Sequence, residues 1–190
     1  ADLAYVERVI KETRRVAEFY GFAGISTPHV EKAELFERPL GESSDVVEKQ
    51  MYSFRTRGGD RLALRPEGTA PIMRAYFEHG MHSLPQPVKL FYCGAFFRHE
   101  NPQAGRLREF HQAGVEVIGD EDAINDAIII RVLVSTLQTL GVKDFMVNVP
   151  TLGDKVCRPS YRKELLAYFR KHCDKLCRDR RHRSAHALPF

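Results

Sequence analysis

Arg98, Arg106 and Arg108 surround one short loop in the stretch FFRHENPQAGRLREFHQ, residues 96–112. Planar guanidinium forks pair bidentately with phosphate and carboxylate oxygens, so three of them around one turn suit an anion. Ordinary surface charge at a hairpin tip is the competing reading of each arginine alone. Side chains alternate across a strand, so Phe110, Gln112, Gly114 and Glu116 share one face of 107–119, and His111, Ala113, Val115 and Val117 share the other. The second set makes a core face. The first combines an aromatic, which can stack a base, with an amide and a carboxylate that can read polar edges. In the strand candidate 89–98, Leu90, Tyr92, Gly94, Phe96 and Arg98 share a face, again with a glycine near its middle. One glycine in each strand suggests a floor cleared for a ligand; a bulge or a bend is the alternative. Taken together, these groups describe a phosphate-plus-base site.

A second candidate is RPEGT, residues 65–69, where Glu67 stands beside Gly68 at the end of a strand and just before a helix. A carboxylate there is either a partner for the helix dipole or an exposed acceptor for a ligand cation. Cys173 and Cys177, with His172 and His182 nearby, hint at zinc, but a CxxxC within a helix is a weak metal signal and a partly buried helix face accounts for it. No metal site is assigned. Neither GxGxxG nor GxxxxGK[ST] occurs, so a nucleotide would bind without the Rossmann or P-loop device.

The elements that must position these groups follow from periodicity and punctuation. Leu3, Val6, Val9, Ile10, Thr13, Val16 and Tyr20 recur at helical spacing up to Gly21, which predicts a helix over 3–20. FAGISTP reads as a short strand stopped by Pro28, and Glu31–Glu37 as a second helix, followed by the polar loop PLGESSD. MYSFRTRGGDRLALR is a hairpin candidate turning at Gly58-Gly59, its second strand ending at Arg65. Thr69 is expected to cap a helix that Gly80 closes. The strands 89–98 and 107–119 flank the loop 99–106, a helix runs from Asp120 and Asp122 to about Leu140, DFMVNV (144–149) reads as a strand, and Ser160–Cys177 as a last helix. Strands that arrive as hairpins, with helices between them, predict an α+β fold on an antiparallel or mixed sheet.

Composition sets the outer limits. A chain of 190 residues with 43% hydrophobic content can close a packed core. It has neither an apolar run long enough to span a membrane nor an apolar leader in ADLAYVERVIKETRR, and its four cysteines are scattered, so a soluble, intracellular protein is expected. The net charge of +4 divides unevenly. Residues 1–154 hold 18 Lys and Arg against 22 Asp and Glu, while 155–190 hold 11 against 3. A basic end can be a footprint for nucleic acid, although a solvated helix face explains it as well.

The residues resemble a known family, the class II histidyl-tRNA synthetases. FYCGAFFRHENPQAGRLREFHQAGVEVIG, about 89–119, is similar to the second class II motif, and LALRPEGTA to the histidine-binding turn. YGFAGISTPHVEKAELFER, about 19–38, resembles the first motif, and GESSDVVEKQMYSF the segment between. The resemblance covers residues 1–177 and implies a class II synthetase-like catalytic core with an antiparallel sheet flanked by helices. It makes Glu67, Gly68, Thr69 and Gln112 ligands of the amino-acid substrate's α-amino end, and Glu116 the acceptor of an imidazole N–H. It gives Arg98 the α-phosphate and substrate carboxylate, as the catalytic residue, and Glu100 the adenine amino group. Phe110 would stack on the adenine, and Arg106 and Arg108 would lie along the phosphates of ATP.

The implied reaction is attack of the histidine carboxylate on the α-phosphorus of ATP, with magnesium, followed by transfer to tRNA(His) in a cytoplasmic homodimer. No membrane or DNA partner is implied. The resemblance fades after Cys177, leaving 178–190 as a basic tail. The family's later histidine-contacting segment, third motif and anticodon-binding domain have no counterpart in these residues. The expectation is a partial catalytic domain that alone binds its ligands weakly and forms adenylate poorly or not at all. The competing expectation is a non-catalytic relative, such as the synthetase-like regulatory subunit of ATP phosphoribosyltransferase, or a dimerisation module.

Overall fold

The computed structural model describes residues 2–40, 50–101, 103, 105–150 and 153–172. The chain divides into two compact units, Ala1–Lys143 and Asp144–Phe190. In the first, α1 (Asp2–Phe19) leads into β1 (Ala23–Gly24), β2 (Val30–Lys32) and α2 (Glu34–Leu40), and then the hairpin β3 (Ser53–Arg55) and β4 (Arg61–Leu64). The order continues with α3 (Thr69–Glu78), the long hairpin β5 (Val88–Phe97) and β6 (Glu109–Ile118), and α4 (Ala123–Thr139).

The strands form two three-stranded sheets, β1-β5-β6 with β1 parallel to β5, and β2-β4-β3, which is antiparallel throughout. They are joined where β4 runs out: the Phe97 amide donates to the Arg65 carbonyl at 3.1 Å, and the Arg65 amide donates to the His29 carbonyl at 2.9 Å. Helices cover the long hairpin on both sides. Val16, Ala17 and Phe22 from α1 and the turn after it, with Val132 of α4, pack on Phe91, Cys93, Val115 and Val117. Ile72 and Tyr76 of α3 pack on Leu90, Tyr92 and Phe96 of the opposite face. Both strand faces thus carry an apolar core along the hairpin, and the polar residues Gln112 and Glu116 interrupt the face that α3 covers. At the far end the Asp122 carboxylate caps α4 by accepting the Ile124 amide at 3.0 Å.

Several expected boundaries shift. Val30–Lys32 is strand rather than the start of a helix, because it completes a ladder with β4 and sends Glu31 inward to the Arg74 guanidinium at 2.7 Å. The helix begins only at Glu34. Gly68, not Thr69, is the N-cap of α3; the Glu67 carboxylate takes the first amides, Thr69 N at 2.6 Å and Ala70 N at 2.9 Å, which frees the Thr69 hydroxyl. β4 stops at Leu64, and the hairpin strands are 88–97 and 109–118, so the loop between them is longer than expected. Pro39 and Leu40, expected to open the polar loop, are the last residues of α2, and the rest of that loop lies in 41–49, outside the described residues.

In the second unit, DFMVNV forms no strand among the described residues. Met146 and Val149 are largely exposed, and an isolated segment gains nothing from extension without a neighbouring ladder for its amides. α5 runs Cys157–Lys171, its first turn held by the Asp154 carboxylate accepting Cys157 N at 2.8 Å and Val156 N at 2.9 Å. Cys173, Cys177, His182 and the basic tail lie outside the described residues.

Candidate active site

The hairpin register fixes which side chains meet. Leu90 faces Glu116, Tyr92 faces Gly114, Gly94 faces Gln112, and Phe96 faces Phe110. One face therefore carries Phe110, Gln112 and Glu116 in a row, as alternation required. The turn Pro66-Glu67-Gly68 crosses this face where α3 begins. The Thr69 hydroxyl donates to Glu116 Oε1 at 2.9 Å, and the Gln112 amide donates to the Tyr92 hydroxyl at 2.9 Å. Five groups from three separate stretches, Glu67, Thr69, Tyr92, Gln112 and Glu116, thus gather at one end of the floor.

The glycines do not leave that floor empty. A methyl group on Gly114 would collide with the Tyr92 ring, and one on Gly68 would come within 2.5 Å of the same ring. A Cβ at Gly94 would come within 2.5 Å of the Arg65 guanidinium. The space that suggested a ligand is filled by the chain's own Tyr92 and Arg65.

Arg98 stands at the other end. Its Nε donates to the Pro66 carbonyl at 2.8 Å, and its guanidinium lies 5.2 Å from the centre of the Phe110 ring, close enough for a cation–π contact. Beyond it the loop continues. Arg106 pairs with Glu100 at 3.2 Å, its own side chain 59% exposed, and the Arg108 carbonyl accepts the Arg98 amide at 2.9 Å. The loop turns at Gly105, whose φ of +79° a residue with a Cβ would adopt only under strain. Arg108 itself is exposed.

The charges are sorted along the floor. Burial pushes the Glu116 carboxyl above its ordinary range; the Thr69 hydrogen bond opposes this and the nearby Glu67 charge adds to it. Burial likewise raises the Tyr92 hydroxyl, with the Glu116 charge acting in the same direction. Two carboxylates close together, with no cation at hydrogen-bond distance among the described residues, make a site that gains from a bound cation. The guanidinium at the Arg98 end gains from an anion. A groove of about 640 Å³ adjoins the acidic end, lined by Glu67, Thr69, Met73, Phe77 and Leu35 among others.

Comparison with known proteins decides the family. The profile described as Histidyl-tRNA synthetase matches residues 1–168. The chain belongs to the histidyl-tRNA synthetase family. It is 47% identical over 178 residues to a histidine–tRNA ligase of Dehalococcoides mccartyi, covering 94% of this chain and 43% of that protein. A histidine–tRNA ligase of Pelotomaculum thermopropionicum is 46% identical over 179 residues, again 94% of this chain and 41% of the relative. The chain thus spans less than half the length of the curated relatives it matches. The crystal structure of the apo histidyl-tRNA synthetase of S. aureus superposes with a TM-score of 0.70 at 33% identity, covering 99% of this chain and 43% of that one. The α+β fold with a mixed sheet flanked by helices is the class II synthetase fold, and the family is one of aminoacyl-tRNA ligases. A pyrrolysyl-tRNA synthetase of Desulfitobacterium hafniense, at 18% identity and a TM-score of 0.64, shares that fold.

Alternation put Phe110, Gln112 and Glu116 on one face and Tyr92 and Arg98 on the partner strand's face, and the resemblance added Glu67 and Thr69. The structure of this histidyl-tRNA synthetase family member gathers them along one hairpin; the contacts of Tyr92 and the whole of Arg65 were missed. A signal for Tyr92 was present. Once Phe96 is opposed to Phe110, Tyr92 falls opposite Gly114, and a large ring opposite a glycine lies over it. For Arg65 there was none, since its partners are backbone carbonyls, the Thr27 hydroxyl and the Phe96 ring, none of them charged.

Proposed function

We propose that this chain carries part of a site that activates L-histidine with ATP, the histidine carboxylate displacing pyrophosphate from the α-phosphorus to give histidyl-adenylate. The acyl group would then pass to the 3′ end of tRNA(His). One observation carries the reading: the carbonyl that holds Arg98 belongs to Pro66, the residue next to Glu67, so a guanidinium and a carboxylate flank one turn, as the adjacent carboxylate and ammonium of a zwitterionic amino acid require. The ammonium would lie by Glu67, Gly68, Thr69 and Gln112, the imidazole N–H by Glu116, and the carboxylate toward Arg98. Phe110, already stacked under Arg98, would take the adenine, Glu100 its amino group, and Arg106 and Arg108 the phosphates. The chemistry calls for no protein nucleophile. Arg98 would hold two anions together and stabilise the charge growing on the α-phosphate.

Among the described residues no group of three histidine, cysteine or carboxylate side chains could hold a metal. A magnesium ion would arrive on the phosphates of ATP, whose oxygens suit it. No step is assigned to it. No described helix is long and apolar enough to cross a membrane. The matched span 1–168 supports reading 1–177 as one part of a catalytic domain, and a cytoplasmic homodimer pairing through the first motif completes the proposal.

Calorimetry tests it directly. Histidinol should bind, and Glu116→Ala should abolish the binding. Equal affinity for unrelated amino acids would sink histidine recognition. A non-catalytic regulatory relative is separated by ATP, which only the synthetase reading requires to bind next to histidinol and to depend on Arg98.

A further inference from the structure

Arg65 is 5% exposed, and its charge faces no carboxylate at hydrogen-bond distance among the described residues. Its Nε donates to the Ala95 carbonyl at 2.9 Å, and its Nη1 donates to the Thr27 carbonyl at 2.7 Å and the Thr27 hydroxyl at 3.0 Å. The flat of the guanidinium lies 4.5 Å from the centre of the Phe96 ring. Its backbone takes part as well, the carbonyl accepting Phe97 N and the amide donating to His29 O. Burying a cation without a carboxylate in hydrogen-bond contact is costly, and burial pushes this guanidinium down from its ordinary value, the Tyr92 and Glu31 charges only opposing it. A core position that only had to be filled would be better served by an apolar side chain.

The position of Arg65 explains the cost. The next residue, Pro66, offers the carbonyl that holds Arg98 Nε, and the one after it is Glu67. Ala95 and Phe97, to which Arg65 is tied, lie just before Arg98 on β5. A single side chain therefore ties together the loop at Thr27, the strand end that carries Glu67 and the strand end that carries Arg98. Gly94 is the matching half, since a methyl group there would enter the guanidinium's space.

We propose that Arg65 is a positioning residue that sets the spacing between the Glu67 turn and Arg98, with Gly94 as the notch that admits it; its catalytic meaning rests on the adenylation reading above. Five donors in a fixed plane can reach three acceptors in different directions at once, whereas a lysine ammonium on a flexible stem cannot reproduce that geometry.

The test reads the spacing without needing a ligand. Exchange of the Arg98 Nε–H is followed by NMR on the full chain, assigned by its loss in Arg98→Lys, alongside the backbone amide of Val132 in α4. Arg65→Lys and Gly94→Ala should each speed Arg98 Nε–H exchange by about tenfold or more, the scale set by a hydrogen bond to a charged group. Val132 should keep its protection, and the double variant should be no worse than the more severe single one. Unchanged Arg98 exchange in either folded variant overturns the proposal, and so does an equal acceleration at Val132, which would mark a merely structural role. If Arg65→Lys does not fold, Gly94→Ala decides. Calorimetry with histidinol and ATP on the same samples should show both affinities falling together. A wild-type chain that binds neither ligand while its Arg98 exchange still answers to Arg65 removes the adenylation reading and supports the brace.

Discussion

The two ends of the floor are built by different means. At the acidic end, Glu67, Thr69, Gln112 and Glu116 are held by short hydrogen bonds to groups fixed by packing: α3 amides, the Tyr92 hydroxyl and one another. At the loop end, Arg106 is held by an ion pair with Glu100 across a largely exposed turn, and Arg108 extends into solvent. The first arrangement is set before a ligand arrives. Under the adenylation reading the second would have to be exchanged when phosphate arrives, since Arg106 cannot serve Glu100 and an ATP oxygen equally. Arg98 sits between them, anchored on the Pro66 carbonyl yet facing the loop. The amino-acid end is therefore expected to discriminate, and the phosphate end to adapt.

The largest test of that contrast is Arg98→Ala, which removes the one cation both ends share. ATP affinity, measured by calorimetry, should fall about a hundredfold, the scale seen when a preorganised charge-stabilising donor is lost. A loss of only a few-fold would mean that the loop arginines dominate. Next is Glu116→Gln, for which histidinol binding should weaken about tenfold or more. The same change should move stability in the opposite direction. A carboxyl raised in the folded state stabilises fully below its unfolded value and loses that contribution as pH climbs through the folded one, so at neutral pH the wild type bears the burial cost and the amide does not. Thermal melts should place Glu116→Gln above wild type at pH 7 and bring the two together, or reverse them, in acid.

Tyr92→Phe should act less, costing roughly 1 kcal/mol of histidinol affinity because the Gln112 amide loses its acceptor while the ring remains. Arg106→Ala should be the mildest. Its exposed pair with Glu100 is worth at most about 1 kcal/mol and is screened by salt, so its effect on ATP binding should shrink as ionic strength rises. An Arg106 effect that ignores salt would place that arginine in a built site and erase the contrast.

The same contrast explains what could be read from the sequence. Period-2 alternation put Phe110, Gln112 and Glu116 on one face, and the register bears this out because a ten-residue hairpin with a core on both sides has little freedom to slip. Helix α1 was equally legible from its apolar spacing. Val30–Lys32 was not, because whether VEK is strand or helix depends on β4 being there to pair with it and on Arg74 receiving Glu31. DFMVNV failed for the converse reason, having strand-like residues and no ladder among the described ones. The glycines were noticed for their missing side chains, but a sequence does not say whose atoms occupy the gap. Arg65 stayed hidden because its partners are main-chain carbonyls, the Thr27 hydroxyl and a ring, which leave no charge pattern to read.

Tyr92 is clasped between Gly68 and Gly114, two stretches of bare main chain on either side of one ring. Shortening that single side chain would open a slot walled by backbone beside Gln112, at a stability cost of about 3–5 kcal/mol for a large-to-small change in a packed site. Under the adenylation reading, such a chain becomes a starting point for accepting amino acids bulkier than histidine. The repertoire of the site would then be altered by removing a plug, without rewriting the polar residues around it.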